Sequence, residues 1–211
     1  MDESTPEGKI YMGIFRMLNA SPGGPHRMYL GVDLDEPSKV YGFFDWDSLE
    51  HHEKFTKTVG KDVQMDFEKI LTHVEYIKHI TATPSLQEAL KSSVTDVFLV
   101  YYPSDTSPDD KVTATIDLQD ILNKSFGQRA DVTAINHGWG VENDFPVYGK
   151  GGGKVGSVFS AFVGWASVEA NTKCRGKGVH TATQELIRGL EGVVALKVLR
   201  LSCVVLERSN E

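Results

Sequence analysis

The chain has 211 residues, 40% hydrophobic and 24% charged, which is the balance of a folded globular protein rather than a disordered one. Its formal charge of −7 and the absence of any Lys/Arg run exclude a phosphate-backbone partner, so no nucleic acid is expected. The acidic, polar start lacks the regions of a signal peptide, and the apolar stretches 97–102 and 193–206 are too short or too broken by Lys197 and Arg200 to span a bilayer. A cytoplasmic protein with no membrane partner is therefore expected, its two cysteines, Cys174 and Cys203, kept as reduced thiols.

In chain order, Ile10, Ile14, Phe15 and Leu18 recur at helical spacing, so 7–19 predicts a helix; a strand over 9–17 is the alternative. Residues 26–32 and 40–46 predict a strand pair, 48–59 a helix, 66–71 a short helix and 73–81 a strand. A linker helix is expected within 84–93. Beyond it every element is legible: strand 95–102, helix 110–126 with Val112, Ile116, Ile121 and Leu122 as its apolar face, and strands 131–141 and 155–165. A helical stretch 167–190 interrupted by Gly176 and Gly178 and a strand 193–207 complete the chain.

The order β-α-β-β-α-β in the second half is the ferredoxin-like split unit. The halves also share a local motif. Trp46, Ser48 and Glu50 match Trp165, Ser167 and Glu169, each Trp closing an apolar run, with Asp47 or Ser48 in the first copy and Ser167 in the second placed to cap the helix that follows. The class expected is thus α+β: two ferredoxin-like repeats (1–83 and 94–211, joined by 84–93) folded as a pseudo-dimeric α+β barrel, the first repeat missing its opening strand. A homodimer would cover the gap that strand leaves.

The run Trp46-Asp47-Ser48-Leu49-Glu50-His51-His52, preceded by 33–38, resembles the dimeric α+β barrel superfamily, which includes antibiotic-biosynthesis monooxygenase-like and stress-responsive A/B barrel proteins. The tandem arrangement resembles fungal members. That resemblance implies activities as different as cofactor-free oxygenation, polyketide cyclisation, isomerisation and haem degradation, so the fold alone does not name a reaction. It also implies a ligand-facing role for His52, whereas Asn171 stands where the second copy would carry the equivalent His.

Histidine is the side chain poised to move protons near neutral pH. Three of the seven are candidate catalytic residues: His137 and His79 on strands, and His52 at the start of a helix. His137 shares a strand face with Ile135 and Trp139, as a lumen acid/base or a satisfied core residue. Trp139, Tyr29, Tyr76, Trp46, Trp165 and Asn136 are candidates for substrate binding or, equally, for core packing. His26, His73 and His180 are expected to be solvated, and His51 exposed. Residues 149–154, rich in Gly and Lys, lack phosphate-loop spacing and predict a hairpin. No metal-ligand spacing or nucleotide fingerprint is present, so no cofactor is expected. The expected activity is a cofactor-independent tailoring step of secondary metabolism on a small apolar molecule: cyclisation, isomerisation or a pericyclic step first, monooxygenation second, with a non-catalytic ligand-binding or stress-response barrel as the other class.

Overall fold

A computed structural model describes residues 3–147 and 153–208, with only the backbone described for 60–66. The hairpin expected at 149–154 falls mostly outside these residues. The chain forms two compact units, one of residues 1–32, 36–77 and 204–211, the other of 33–35 and 78–203.

The first unit opens with α1 (Pro6–Ala20), the helical alternative for this segment. Thr5 caps it, its hydroxyl accepting from the amide of Gly8, with Pro6 at a position where no amide donor is needed and Glu7 beside the positive helix end. Strands β1 (Arg27–Asp33) and β2 (Val40–Asp45) pair antiparallel, from Arg27 opposite Asp45 to Val32 opposite Val40. Helix α2 (Leu49–Phe67) starts where expected, the Ser48 hydroxyl accepting from the His51 amide. Tyr11, Ile14, Phe15, Met28, Leu30 and Phe55 make the core of this unit, with Phe15 ringed by Tyr11, Phe44 and Phe67 at 4.7, 6.0 and 5.6 Å.

The strand expected over 73–81 forms only as β3 (Ile80–Thr83). Charged and apolar residues fall on both faces of 73–79, Val74 and Ile77 are exposed, and regular pairing begins only at Ile80, opposite Gly140 of β5.

The second unit holds β3, α3 (Gln87–Leu90), β4 (Val94–Pro103), α4 (Pro108–Phe126), β5 (Val132–Gly140), β6 (Phe145–Pro146), β7 (Val155–Trp165), α5 (Val168–Gly176), α6 (Val179–Arg188) and β8 (Ala195–Glu207) up to Cys203. Its strands are antiparallel in the order β8-β4-β7-β5-β3, with β6 on the end of β7. The first four follow the ferredoxin-like order, and β3 extends it. Ser107 and Ser167 cap α4 and α5 through Asp110 and Ala170 amides, and Gly178, at φ +78°, breaks α5 from α6.

Helices α4, α5 and α6 cover one face of this sheet, over a core that includes Phe98, Val100, Phe126, Phe159, Val163 and Trp165. The buried stripe of α4 is Ala114, Leu118, Leu122 and Phe126, at strict i, i+4 spacing. Val112 and Ile116, expected to face inward, are 59% and 60% exposed, because the buried stripe runs two residues on, through Ala114 and Leu118, on another side of the helix. The opposite face of the sheet is also buried at Val97, Leu99, Tyr101, Val158, Phe162, Leu199 and Leu201.

Strand β3 lies so close to β5 that a Cβ at Gly138 would stand 2.0 Å from the Thr81 carbonyl oxygen. Gly138→Ala should therefore separate β3 from β5, at a cost of about 1–3 kcal/mol. The check is denaturant unfolding together with hydrogen exchange, in which the amides of 80–83 should lose protection before those of β4.

Candidate functional site

The alternation of β5 decides which side chains face the helices. Ile135, His137 and Trp139 point toward α4, and Asn136 points the other way. His137 thus stands beneath a helix, not on the sheet face the helices leave free, where a lumen residue would lie. Its Nε2 accepts a 2.6 Å hydrogen bond from the Gln119 Nε2 amide, and its ring stacks on Phe159 at 5.4 Å and 19°. Burial holds its pKa below the ordinary histidine value, and an imidazole that accepts a hydrogen bond is by necessity neutral. A cleft of about 240 Å³ opens here, lined by Gln119, Leu122, Asn123, Ile135 and His137.

Trp139 is fixed beside it: its indole N–H donates to the Thr115 hydroxyl at 2.9 Å, and the Lys111 ammonium lies 5.2 Å from its ring. Tyr102 packs on Trp139 at 5.3 Å. Among the described residues its buried hydroxyl has no hydrogen-bond partner, and burial pushes its pKa to about 12, so it is a donor at any working pH.

A second polar group lies deeper. Asp96, fully buried in the middle of β4, accepts from Trp165 Nε1 at 2.9 Å, Asn171 Nδ2 at 2.6 Å and Arg175 Nη1 at 3.4 Å. His180 Nε2 stands 3.6 Å away, and Asn171 in turn accepts from Arg200 Nε at 2.6 Å. Trp165 is therefore held in the core by its N–H. His180, expected to be solvated, is 3% exposed, because α6 turns it inward onto Phe98 and Asp96. Sequence reasoning passed over Asp96, His180, Arg175 and Arg200. The available signal was an aspartate inside the apolar run 94–102, since a buried carboxylate needs donors around it.

The remaining candidates stand apart from these groups. His79 Nδ1 pairs with Glu142 at 2.6 Å and its amide donates to the same carboxylate at 3.0 Å. In the first unit, Trp46 brings His51 and His52 to 5.2 and 4.9 Å, and His51 is half-buried, bonded to the Gly23 carbonyl rather than exposed. Tyr29 is buried, its hydroxyl donating to Asp45 at 3.5 Å, and Tyr76 is half-buried. Asn136 is 3% exposed, and its Oδ1 has no hydrogen-bond partner among the described residues.

The ferredoxin-like second unit places the protein in the α+β class. The solved structures it matches have the same architecture. An anthrone oxidase-like protein shares 15% identity over 98% of this chain and 90% of its own, at a TM-score of 0.65. A candidate monooxygenase from Lactobacillus acidophilus NCFM shares 12% over 98% and 90%, at 0.57, and another from Fusobacterium nucleatum subsp. nucleatum ATCC 25586 shares 11% over 100% and 91%, at 0.57. At these identities the likeness is one of fold, the α+β barrel. No protein-family model and no curated protein sequence matches the chain. Among the described residues no helix is long and apolar enough to cross a membrane.

Asp96→Ala would leave the Trp165, Asn171 and Arg175 donors without their acceptor. It should cost about 3–5 kcal/mol in urea unfolding, against less than about 1 kcal/mol for Asp120→Ala, which removes only the exposed pair with Lys124.

Proposed function

We infer that the protein is a cofactor-independent enzyme that deprotonates a small phenolic or enolisable ring compound, with His137 as the base. The observation that carries this is the neutral, half-buried imidazole whose acceptor nitrogen meets Gln119 in the cleft, since an acidic substrate proton can replace the amide at Nε2. The volume of about 240 Å³ lies below the usual range for drug-sized ligands, which keeps the substrate small. Gln119 and Asn123 offer amide donors for the oxygen that gains charge, and Phe159 gives His137 an aromatic backing.

Oxidation is the favoured outcome. Deprotonation makes an electron-rich anion that can itself reduce dioxygen: for a ring methylene, one O₂ is consumed, the carbon becomes a carbonyl and one water leaves. The oxidase-like and monooxygenase-like descriptions of the matched structures support this by analogy of fold alone. The same anion could instead close a ring or isomerise, which the two amide donors would assist. A tailoring step in secondary metabolism fits either outcome.

An oxygen electrode separates the two: a hydroxylated anthrone should draw one O₂ per turnover, and product formation without oxygen uptake would favour cyclisation or isomerisation. His137→Ala should lower kcat by about 10²–10⁴-fold. Because burial lowers the His137 pKa, the base is neutral throughout the neutral range. The rate should stay level from pH 8 to below the ordinary histidine value and fall only as pH drops through the depressed pKa. Full activity in His137→Ala on a turned-over substrate would overturn the assignment.

A further inference from the structure

The cleft at His137 is closed toward one neighbouring strand and open toward the other. β5 lies between β7 and β3 in the sheet. Toward β7 the space under α4 is filled: Leu118 and Leu122 are buried, and the His137 ring leans onto Phe159. Toward β3 it is not. Thr81 lies opposite Trp139 and Thr83 opposite His137, and residues opposed in an antiparallel pair send their side chains to the same face. Both threonines therefore stand on the α4 side of the sheet, and both are exposed, so that edge stays open to solvent. The pairing ends at Thr83, which leaves Ile135, the next cleft residue along β5, without a β3 partner. A ligand that meets the imidazole between α4 and β5 from this open side has Thr83 as its neighbour.

Thr83 is well placed for such a contact. Side chains opposed in this way start about 4.5–5.5 Å apart at Cβ, and a β-branched residue has few rotamers to choose from. The close approach of β3 to Gly138 holds the strand spacing, since a Cβ there would stand 2.0 Å from the Thr81 carbonyl oxygen. The two sides of the imidazole also differ in chemistry. On α4, Gln119 and Asn123 are i, i+4 neighbours that present amides to the cleft. On β3 stands a hydroxyl, which can donate and accept. Leu122 and Ile135 supply the apolar surface of the cleft.

We propose that Thr83 is a substrate-binding residue of this cleft and sets its specificity, for fused-ring compounds carrying oxygens at two opposite edges. One oxygen lies under the α4 amides beside His137, and the other bonds to the Thr83 hydroxyl. This rests on the reading of His137 as the base, because that reading puts the acidic edge of the ligand under α4.

The test compares 2,6-dihydroxynaphthalene with 2-naphthol, which lacks the second oxygen, in calorimetric titration of the full chain. Wild-type protein should bind the diol about 3–10-fold more tightly, the worth of one hydrogen bond. Thr83→Val keeps the side-chain shape and removes the hydroxyl, so it should bind both compounds equally at an unchanged melting temperature. Thr83→Ser should restore the preference, and Thr81→Val, on the same strand face beside Trp139, should leave it intact. Three results would overturn the proposal: no saturable binding of either compound, equal binding of the two by wild-type protein, or a preference for the diol that survives Thr83→Val. Kinetics with an anthrone hydroxylated on both outer rings separate this conclusion from the base assignment. Thr83→Val should raise KM and leave kcat unchanged, whereas His137→Ala lowers kcat. Turnover by Thr83→Val at an unchanged KM would sink the role of Thr83 alone. A Thr83-dependent preference for the diol with full activity in His137→Ala would sink the base and leave Thr83 as the binding residue.

Discussion

A carboxylate in the middle of a buried strand is the constraint around which the second unit is arranged. Asp96 cannot stay buried unless donors surround it, and β7 and α5 supply them through Trp165, Asn171 and Arg175, with His180 of α6 standing 3.6 Å away. The two donors of α5 lie one turn apart, so the carboxylate sets the rotation of that helix as well as its height above the sheet. Asn171 then passes the constraint on to β8 by accepting from Arg200, and Arg175 reaches Asp35 at 3.0 Å. Apolar packing alone would tolerate small rotations of these helices; directional bonds to one buried oxygen pair do not.

With α5 and α6 fixed, α4 is left the ground above β5, and the small cleft follows. The i, i+4 stripe ending at Phe126 packs one end of the helix firmly, whereas Gln119 and Asn123 meet β5 beside His137, where two amides and an imidazole cannot close as tightly as leucines. Burial enough to keep the imidazole neutral and an open side for a ligand thus arise from one packing arrangement. The strand period of two then puts His137 and Asn136 on opposite faces from adjacent positions, so a single strand can serve two environments of different polarity.

Much of this was legible in the sequence, for identifiable reasons. Elements with an unambiguous period, such as β7 and β8, and helices with a capping serine, such as Ser107 and Ser167, stood where their patterns put them. The face of α4 was misread because Val112 and Ile116 are more hydrophobic than Ala114, whereas the stripe that is buried runs through Ala114 and Leu118. The strand expected at 73–81 lacked a partner for most of its length, and pairing is a non-local property no window reveals. Which face of the sheet His137 occupied was likewise invisible, since period two gives the alternation but not its sign. The Asp96 network was partly readable: an acid in an apolar run demands partners, but not which ones.

The repeated Trp-x-Ser-x-Glu motif shows how the same local sequence takes different duties when its supporting strand differs. In the second unit Trp165 and Asn171 both turn to an acid on β4, and the asparagine can donate to Asp96 and accept from Arg200 at once. A neutral histidine offers one donor and one acceptor along fixed ring directions, and a protonated one no acceptor at all, so it could not bridge the two as well. Among the described residues of the first unit, α1 is the element that leads into β1. There Trp46 is half-buried, and His52 rests against its ring at 4.9 Å. At the matched positions the same motif thus holds an asparagine bonded to a buried carboxylate in one unit and an imidazole resting against an indole in the other.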